Sequence, residues 1–150
     1  MEKTIYEGKV LWSQIDANLH LRHSAYADFG AHARLQLIEV LGFTHQTFDR
    51  LDLGPILFRE EVIYMREVLP NDSIKIITEL SKCRMDGSRW SFRQKLFRGD
   101  GVQAAQINSD GAWMYKSTRK LRALPEEWTL KFFEIPKTED FIEEPIPKKN

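Results

Sequence analysis

The apolar residues of this chain follow one spacing in a single long segment and a different spacing nearly everywhere else. From Ser24 to Leu41, apolar residues recur every three to four positions, which predicts a helix with a buried face. That face holds Tyr26, Phe29, Ala33, Leu37, Val40 and Leu41. Ser24 can cap the start of this helix and Gly42 can end it. Three more apolar residues widen the face, so the helix should be covered on more than one side: Ala25, Leu35 and Ile38.

The remaining segments have the composition of β-strands separated by turns. Apolar, aromatic and β-branched residues predict strands at 4–12, 56–68, 74–84, 89–98 and 102–116. Turn residues separate the later strands, and a Ser-Asp-Gly run at 109–111 is a candidate interruption of the last one. Residues 43–54 are mixed in character. Because short turns imply antiparallel pairing, this order predicts an α+β fold in which one long helix packs on an antiparallel sheet of about five strands.

The same elements indicate how the chain is organised. One helix cannot cover a wide sheet, so we expect the exposed strand faces to pair in a homo-oligomer, either a dimer or a tetramer. Residues 1–130 are predicted as one domain of ordinary size, with a short helix beginning at Pro125. Residues 131–150 hold three prolines among many charges, and they are predicted as an extended C-terminal arm with little core of its own.

Composition argues against several classes of protein. The 150 residues include 22 Lys and Arg against 22 Asp and Glu, so no net charge draws the chain to nucleic acid. The single cysteine, Cys83, can form neither an intramolecular disulfide nor a cysteine metal cluster, and we expect an inert thiol in a cytoplasmic protein. The first residues do not resemble a secretory signal, and no apolar run is long enough to predict a membrane span. His32 and His45 lack partners at metal-ligand spacing, so we predict neither a metal nor a cofactor.

Four polar residues lie within eight positions of one another, between the first strand and the long helix. They are Asp16, Asn18, His20 and His23. The free N–H groups of a helix start favour negative charge, and a nearby carboxylate can attack a carbonyl or activate a water. Judged by residue type alone, ordinary loop and capping roles are the favoured interpretation.

The spacing of these residues resembles the signature of hot-dog-fold acyl thioesterases of the 4-hydroxybenzoyl-CoA thioesterase-like group. That group has an Asp followed by characteristic residues at the fourth, seventh and tenth positions after it, and this chain has Asp16, His20, His23 and Tyr26 there. The Asp-x-Asn-x-His portion also resembles plant acyl-ACP thioesterases. Weaker similarities at 70–74 and 119–126 extend the resemblance to roughly residues 4–127. The resemblance implies a long central helix wrapped by an antiparallel sheet, paired into a dimer with the active site at its interface.

The resemblance also implies roles for individual residues in the hydrolysis of an acyl-CoA or acyl-ACP thioester. The catalytic set would be Asp16 as base or nucleophile, assisted by Asn18 and His20. The substrate-binding set would be His23, Ser24, Tyr26, Phe29, Arg119 and Lys120, with backbone N–H groups near Ser24 holding the oxyanion and the Arg-Lys pair contacting phosphate. Phe58 and Tyr64 are further candidates for an acyl tunnel, whereas Trp90, Trp113 and Trp128 are more simply explained as core or interface residues.

Two other functions fit the same fold. An enoyl-CoA hydratase would show Asp-x-Asn-Pro-x-His, but here Leu19 replaces the proline and His20 comes one position early, which favours the thioesterase. A non-catalytic acyl-thioester-binding protein would gain nothing from a buried carboxylate, so the polar loop argues against it. His23 stands where Asn is common, and Leu19 and Leu21 make the loop more apolar than the usual glycine-rich version, which leaves the acyl group open.

Overall fold

A computed structural model of the protein describes residues 3–148. In chain order the elements are β1 (Ile5–Lys9), a short 3-10 turn (Trp12–Gln14), α1 (His23–Val40), α2 (His45–Leu51), β2 (Leu53–Tyr64), β3 (Ser73–Arg84), β4 (Arg89–Arg98), β5 (Gln103–Tyr115), α3 (Glu126–Phe132) and β6 (Lys137–Glu144). The predicted helix and the predicted strands from 74 onward agree with these bounds to within one residue at each end. The first two predicted strands run three and four residues too far toward the C-terminus, and β2 begins three residues earlier than predicted.

The strands form a single sheet in the order β1-β3-β4-β5-β2, and every neighbouring pair along this path is antiparallel. This confirms the predicted antiparallel sheet of about five strands. A sixth strand, β6, lies parallel to the second half of β3, on the same side of β3 as β1. Among the described residues, β2 has a strand partner on one side only, because it pairs with β5 alone.

The central helix α1 covers one face of this sheet with small and aromatic residues. Ala25, Tyr26, Phe29, Ala33 and Leu37 are all buried. No helix within residues 3–148 is long and apolar enough to cross a lipid bilayer.

The two ends of α1 differ in how well the sequence predicted them. Gly42 ends the helix as predicted, with a φ of +97° that favours glycine. The predicted cap at Ser24 is wrong. The residue preceding the helix is Arg22 in an extended conformation, and no side chain caps the start.

The mixed segment contains a second helix. The Thr44 side chain accepts a hydrogen bond from the Thr47 N–H at 3.3 Å, which starts α2, and Asp52 in the left-handed conformation ends it. Residues 109–111 do not interrupt β5. Gly111 is needed there because the Trp90 ring lies where a Cβ atom would be, 2.3 Å away. Gly111 in the Ser-Asp-Gly run therefore reflects the close approach of the Trp90 ring and not a turn.

The C-terminal segment is part of the core, so the prediction of an arm with little core of its own is wrong. Phe132 and Ile135 are fully buried against the same cluster as Trp113 and Leu37. The predicted boundary at residue 130 falls inside α3. The many prolines and charges of this segment did not indicate that Phe132 and Ile135 are buried, because composition averages over residues that face opposite ways.

Charged pairs hold β6 against the sheet. Arg84 donates to Glu144 at 2.8 Å, and Arg93 donates to Asp140 through two bonds of 2.9 and 3.1 Å. The Arg93 guanidinium is the main cause that lowers the pKa of Asp140 to about 2. The charges of the segment therefore pair on its outer side, while Phe132 and Ile135 face inward.

Candidate active site

The polar loop before α1 is a tight turn closed by its own backbone. The Asp16 N–H donates to the His20 carbonyl at 2.9 Å, and the Leu19 N–H donates to the Asp16 carbonyl at 3.0 Å. Ile15 and Leu21 form an antiparallel bridge across the turn. Leu19 takes a φ of 61°, an unusual conformation for a non-glycine residue. The turn brings the polar residues of the motif to one side of the helix start.

The Asp16 carboxylate is half-buried and held by two backbone groups. Its Oδ1 accepts from the Asn18 N–H at 2.9 Å and from the His20 N–H at 3.1 Å. Its Oδ2 has no hydrogen-bond donor among residues 3–148, so this oxygen stays available. Aspartate commonly bonds to its own following backbone in this way, and the bonds fix the direction of the carboxylate.

The start of α1 presents free backbone donors beside this turn. The N–H groups of His23 and Ser24 have no acceptor among the described residues. Such groups at a helix start carry partial positive charge and can stabilise a developing oxyanion. The Ser24 hydroxyl accepts from Arg22 Nε at 3.0 Å, and Ser24 does not cap the helix because it already lies inside it, one residue after His23.

Arg22 joins the turn to the helix, a role that the sequence reasoning missed. Its side chain donates to the Ser13 carbonyl at 2.8 Å, and its backbone N–H donates to the Gln14 carbonyl at 2.7 Å. These bonds tie the 3-10 turn to the first turn of α1. No spacing rule indicates such a contact, because it joins an arginine to backbone carbonyl groups eight and nine positions earlier.

An open cleft collects most of the motif residues. Asp16, His20, His23 and Tyr26 line it together with the end of β2 and the residues that follow, Tyr64 to Glu67. The Tyr64 hydroxyl donates to the His23 carbonyl at 3.0 Å, and its ring meets the Tyr26 ring edge-on at 5.1 Å. Four spaced residues of the sequence motif therefore share one surface.

The Tyr26 phenol stays neutral in this cleft near pH 7. Burial is the main cause that raises its pKa, and the nearby Tyr64, Asp16 and Glu67 raise it further. A neutral phenol can donate a hydrogen bond toward the carboxylate side of the cleft.

A second concave surface lies on the other side of Asp16. It is lined by Trp12, Leu19 and Pro70 among others, and the Trp12 side chain is 92% exposed. Asp16 thus lies between two surfaces, one with tyrosines and histidines and one mostly apolar.

Three predicted binding residues lie elsewhere. Phe29 is buried in the core, with its ring 6.4 Å from that of Tyr6, and it does not line the cleft. Arg119 and Lys120 are exposed beyond the end of β5, where Tyr115 pairs with Leu53. Leu53 and Tyr64 are the opposite ends of β2, roughly 36 Å apart at about 3.3 Å per residue. Within one chain, therefore, the fold does not bring the Arg-Lys pair to Asp16.

Asn18 and Cys83, two other residues singled out in the sequence, do not line this cleft. Asn18 is exposed at the tip of the turn and contributes its backbone to Asp16. Cys83 is buried, and burial raises the pKa of its thiol to about 12. Within residues 3–148 no group of three or more His, Cys, Asp or Glu side chains is placed to hold a metal ion.

The sequence profile of the thioesterase-like superfamily matches residues 10–133. A DHNA-CoA thioesterase from Staphylococcus aureus superimposes with a TM-score of 0.80 at 20% identity, over 89% of this chain and 91% of the other. No curated protein matches the sequence.

Two further solved structures are similar. A Staphylococcus aureus protein in complex with CoA has a TM-score of 0.83 at 15% identity, over 99% of this chain and 90% of the other. A 1,4-dihydroxy-2-naphthoyl-CoA thioesterase from Synechocystis has a TM-score of 0.78 at 12% identity, over 89% and 97% of the two chains. These likenesses confirm the predicted fold of a long helix on an antiparallel sheet.

Proposed function

This chain belongs to the thioesterase-like superfamily and has the hot-dog fold, and from that premise we propose that it hydrolyses the thioester of an acyl-CoA with Asp16 as the catalytic carboxylate. One observation carries the proposal. The oriented Asp16 carboxylate and the free N–H groups of His23 and Ser24 lie at the same end of α1, beside one open cleft. Hydrolysis of a thioester needs both an activated oxygen nucleophile and a stabilised oxyanion.

The free Asp16 oxygen begins the reaction. It removes a proton from a water that attacks the thioester carbonyl, or it attacks the carbonyl itself to form an anhydride that water then opens. The carbonyl oxygen becomes an oxyanion facing the His23 and Ser24 N–H groups. The carbon–sulfur bond then breaks, the thiolate takes up a proton, and the free acid and thiol leave.

The other motif residues assist. His20 and His23 border the cleft, and an imidazole N–H can donate a hydrogen bond to the leaving sulfur or to the carbonyl. Tyr26 lines the acyl side of the cleft. Asn18 acts mainly through the backbone N–H that it donates to Asp16.

The proposed carrier is coenzyme A rather than acyl carrier protein. One structure similar to this chain was solved in complex with CoA, and two others are CoA thioesterases by name. The phosphates of coenzyme A need cationic groups, and arginine matches them best. Arg119 and Lys120 lie at the far end of β2 from Asp16, so they reach the cleft only from a second copy of the chain.

A homodimer through the free edge of β2 supplies that second copy. Four large apolar side chains on β2 are 40–51% exposed: Leu57, Phe58, Ile63 and Tyr64. Exposed apolar side chains on an edge strand are typical of a protein–protein interface. If two β2 strands pair antiparallel over their full length, Tyr64 of one copy comes opposite Leu53 of the other. The Arg119 side of one copy then lies near the Asp16 cleft of the other.

The test is Asp16→Asn, assayed by thiol release from short, long and aromatic acyl-CoAs. Asparagine keeps an oxygen for the Asn18 and His20 N–H groups but loses the charge, so the loop should hold while kcat falls by about 10²- to 10⁴-fold. Glu39→Gln, an exposed acid at the other end of α1, is the matched control and should keep full activity.

Two results would contradict the proposal. Full activity in Asp16→Asn would remove Asp16 from the chemistry. Tight binding of acyl-CoA that persists intact in the parent protein would favour a non-catalytic binding protein, and hydration of crotonyl-CoA without thiol release would favour a hydratase.

A further inference from the structure

The first peptide group of α1 offers a hydrogen-bonding atom on each of its two sides. It joins His23 to Ser24, and the Ser24 N–H is one of the two donors at the helix start that have no acceptor among the described residues. The carbonyl oxygen of the same peptide group, on His23, accepts a hydrogen bond of 3.0 Å from the Tyr64 hydroxyl. A donor from the sheet therefore binds the peptide group whose N–H faces the cleft.

The position of Tyr64 is set by the sheet and by a neighbouring ring. Tyr64 is the last residue of β2, where it pairs with Ala105 of β5. The next residue, Met65, donates its backbone N–H to the Ala104 carbonyl at 2.8 Å. The Tyr64 ring meets the buried Tyr26 ring edge-on, with 5.1 Å between the ring centroids. The strand backbone and the Tyr26 ring together fix the direction of the phenol.

The helix start is already attached to this part of the chain by another bond. The Leu21 N–H, two residues before α1, donates to the Val68 carbonyl at 2.8 Å, and both residues are buried. The Arg22 side chain attaches the helix start on the other side, through the Ser13 carbonyl. Because these bonds hold the segment in place, the Tyr64 hydroxyl is not needed for attachment alone.

Two hydrogen bonds that share one peptide group strengthen each other. A donor on the carbonyl oxygen draws electron density toward that oxygen and away from the amide nitrogen, so the N–H becomes a stronger donor. Here the Tyr64 hydroxyl binds the oxygen side of the peptide group, and the Ser24 N–H is the donor on the nitrogen side. Because an oxyanion forms only as the reaction proceeds, a stronger donor there raises kcat more than it changes substrate binding.

We infer that Tyr64 is a positioning residue of the reaction, whose hydroxyl orients and polarises the His23–Ser24 peptide group and so strengthens the Ser24 N–H as an oxyanion donor. The inference rests on the proposed function and adds to it a residue from β2, 41 positions from His23 in the chain. The Tyr64 hydroxyl donates to the peptide oxygen, so it acts through Ser24 and not by contact with the reacting atoms.

The size of the effect follows from the strength of a single oxyanion donor. Removal of one such donor lowers kcat by about 10²- to 10³-fold, and a neighbouring hydrogen bond strengthens a bond by about 10–30%. Applied to the free energy of one donor, that strengthening corresponds to about 2- to 8-fold in kcat. Loss of the Tyr64 hydroxyl should therefore have a measurable but limited effect, much smaller than loss of Asp16.

The first test removes the hydroxyl and keeps the ring. Tyr64→Phe should lower kcat for the best acyl-CoA substrate by about 2- to 8-fold and leave KM nearly unchanged. Tyr6→Phe is the matched control, because it removes a phenol hydroxyl from β1, outside the lining of the cleft, and should keep the parent's kcat. An unchanged kcat in Tyr64→Phe, or an equal loss in both variants, would overturn the inference.

The second test strengthens the same bond without removing it. Tyr64 is replaced by monofluorotyrosine and by difluorotyrosine through suppression of a stop codon, and kcat is measured at a pH where all three phenols are protonated. Fluorine makes the phenol O–H more acidic and a stronger donor, so kcat should rise from the parent to the monofluoro and then to the difluoro protein. A residue that only holds the helix start would give three equal values of kcat, and that result would overturn the inference.

The NMR chemical shift of the Ser24 amide nitrogen reports the polarisation of this peptide group and needs no substrate. Tyr64→Phe should move this signal, whereas Tyr6→Phe should leave it in place. Ring currents do not account for the change, because the aromatic ring is retained. A loss of kcat in Tyr64→Phe without movement of the Ser24 signal would have another cause and would overturn the inference.

The same measurements separate this inference from the proposed function. Thioester hydrolysis that depends on Asp16, with kcat and the Ser24 signal unaltered by Tyr64→Phe, would reject the inference and leave the function standing. A Ser24 signal that moves in Tyr64→Phe, in a protein that hydrolyses no thioester, would reject the proposed function and the oxyanion as the acceptor, while the polarised peptide group would stand.

Discussion

Asp16 shows how the carboxylate that we propose as catalytic is oriented by the backbone of its own turn. The carboxylate takes its direction from the N–H groups two and four positions later. The Asp-x-Asn-x-His spacing therefore corresponds to a backbone turn. Asn18 and His20 orient Asp16 through their backbone N–H groups and not through their side chains. Arg22 adds the second support, because it ties the turn to the first turn of α1.

Cys83 gives a prediction about pH at the same scale. Burial raises the pKa of its thiol from about 9 in the unfolded chain to about 12 in the folded one. Because the folded pKa is the higher, the contribution to stability is complete below about pH 9 and is lost as the pH rises toward 12. The free energy of unfolding of the parent should therefore fall, relative to that of Cys83→Ala, as the pH rises through this range.

Urea unfolding of both proteins between about pH 8 and pH 11 measures this difference in the free energy of unfolding. The contributions of all other titratable groups cancel because they are common to both proteins. A difference that stays constant with pH would mean that the thiol ionises in the native state as readily as in the unfolded chain.

Among the elements, α3 and β6 convert a charged segment into part of the core. Phe132 is fully buried and its ring packs 5.8 Å from that of Trp113. We predict that Phe132→Ala lowers the free energy of unfolding by about 3–5 kcal/mol, because it removes a large buried ring and leaves a cavity. Thermal or urea unfolding measures the change.

Leu130, two residues earlier in the same helix and 66% exposed, is the matched control. Leu130→Ala should change stability by no more than about 0.5 kcal/mol. A small effect of Phe132→Ala would show that α3 does not contribute to the core as its burial indicates.

For the whole molecule, the free edge of β2 is the surface through which we propose that the chain dimerises. Ile63 is 40% exposed on this strand, and Ile63→Lys places a charge among the apolar side chains of the proposed dimer contact. We predict that this variant is monomeric by size-exclusion chromatography with light scattering, and that it loses activity because each site then lacks its partner.

The control for this prediction is Leu130→Lys, which adds the same charge to another exposed apolar position. It should keep the parent's assembly and activity. A dimer that survives Ile63→Lys would place the contact elsewhere on the molecule.

Local patterns in the sequence determined α1, the antiparallel strands and the loop that holds Asp16. These features depend on residues within a few positions of one another, so the order of residues along the chain is enough to predict them. They include the helical and strand periods, the turn residues and an Asp bonded to its own backbone. The same reasoning predicted Gly42 at the helix end, because a left-handed φ is a local requirement.

Only the tertiary structure decided which distant residues meet. Arg34 reaches Gln94 and Ser109 across 60 and 75 positions, because strand register and the placement of α1 bring them together. The same register buries Phe29 and Phe132 and leaves Arg119 at the far end of β2 from Asp16. No local period contains this information, since it arises from how the apolar faces of separate elements pack against one another.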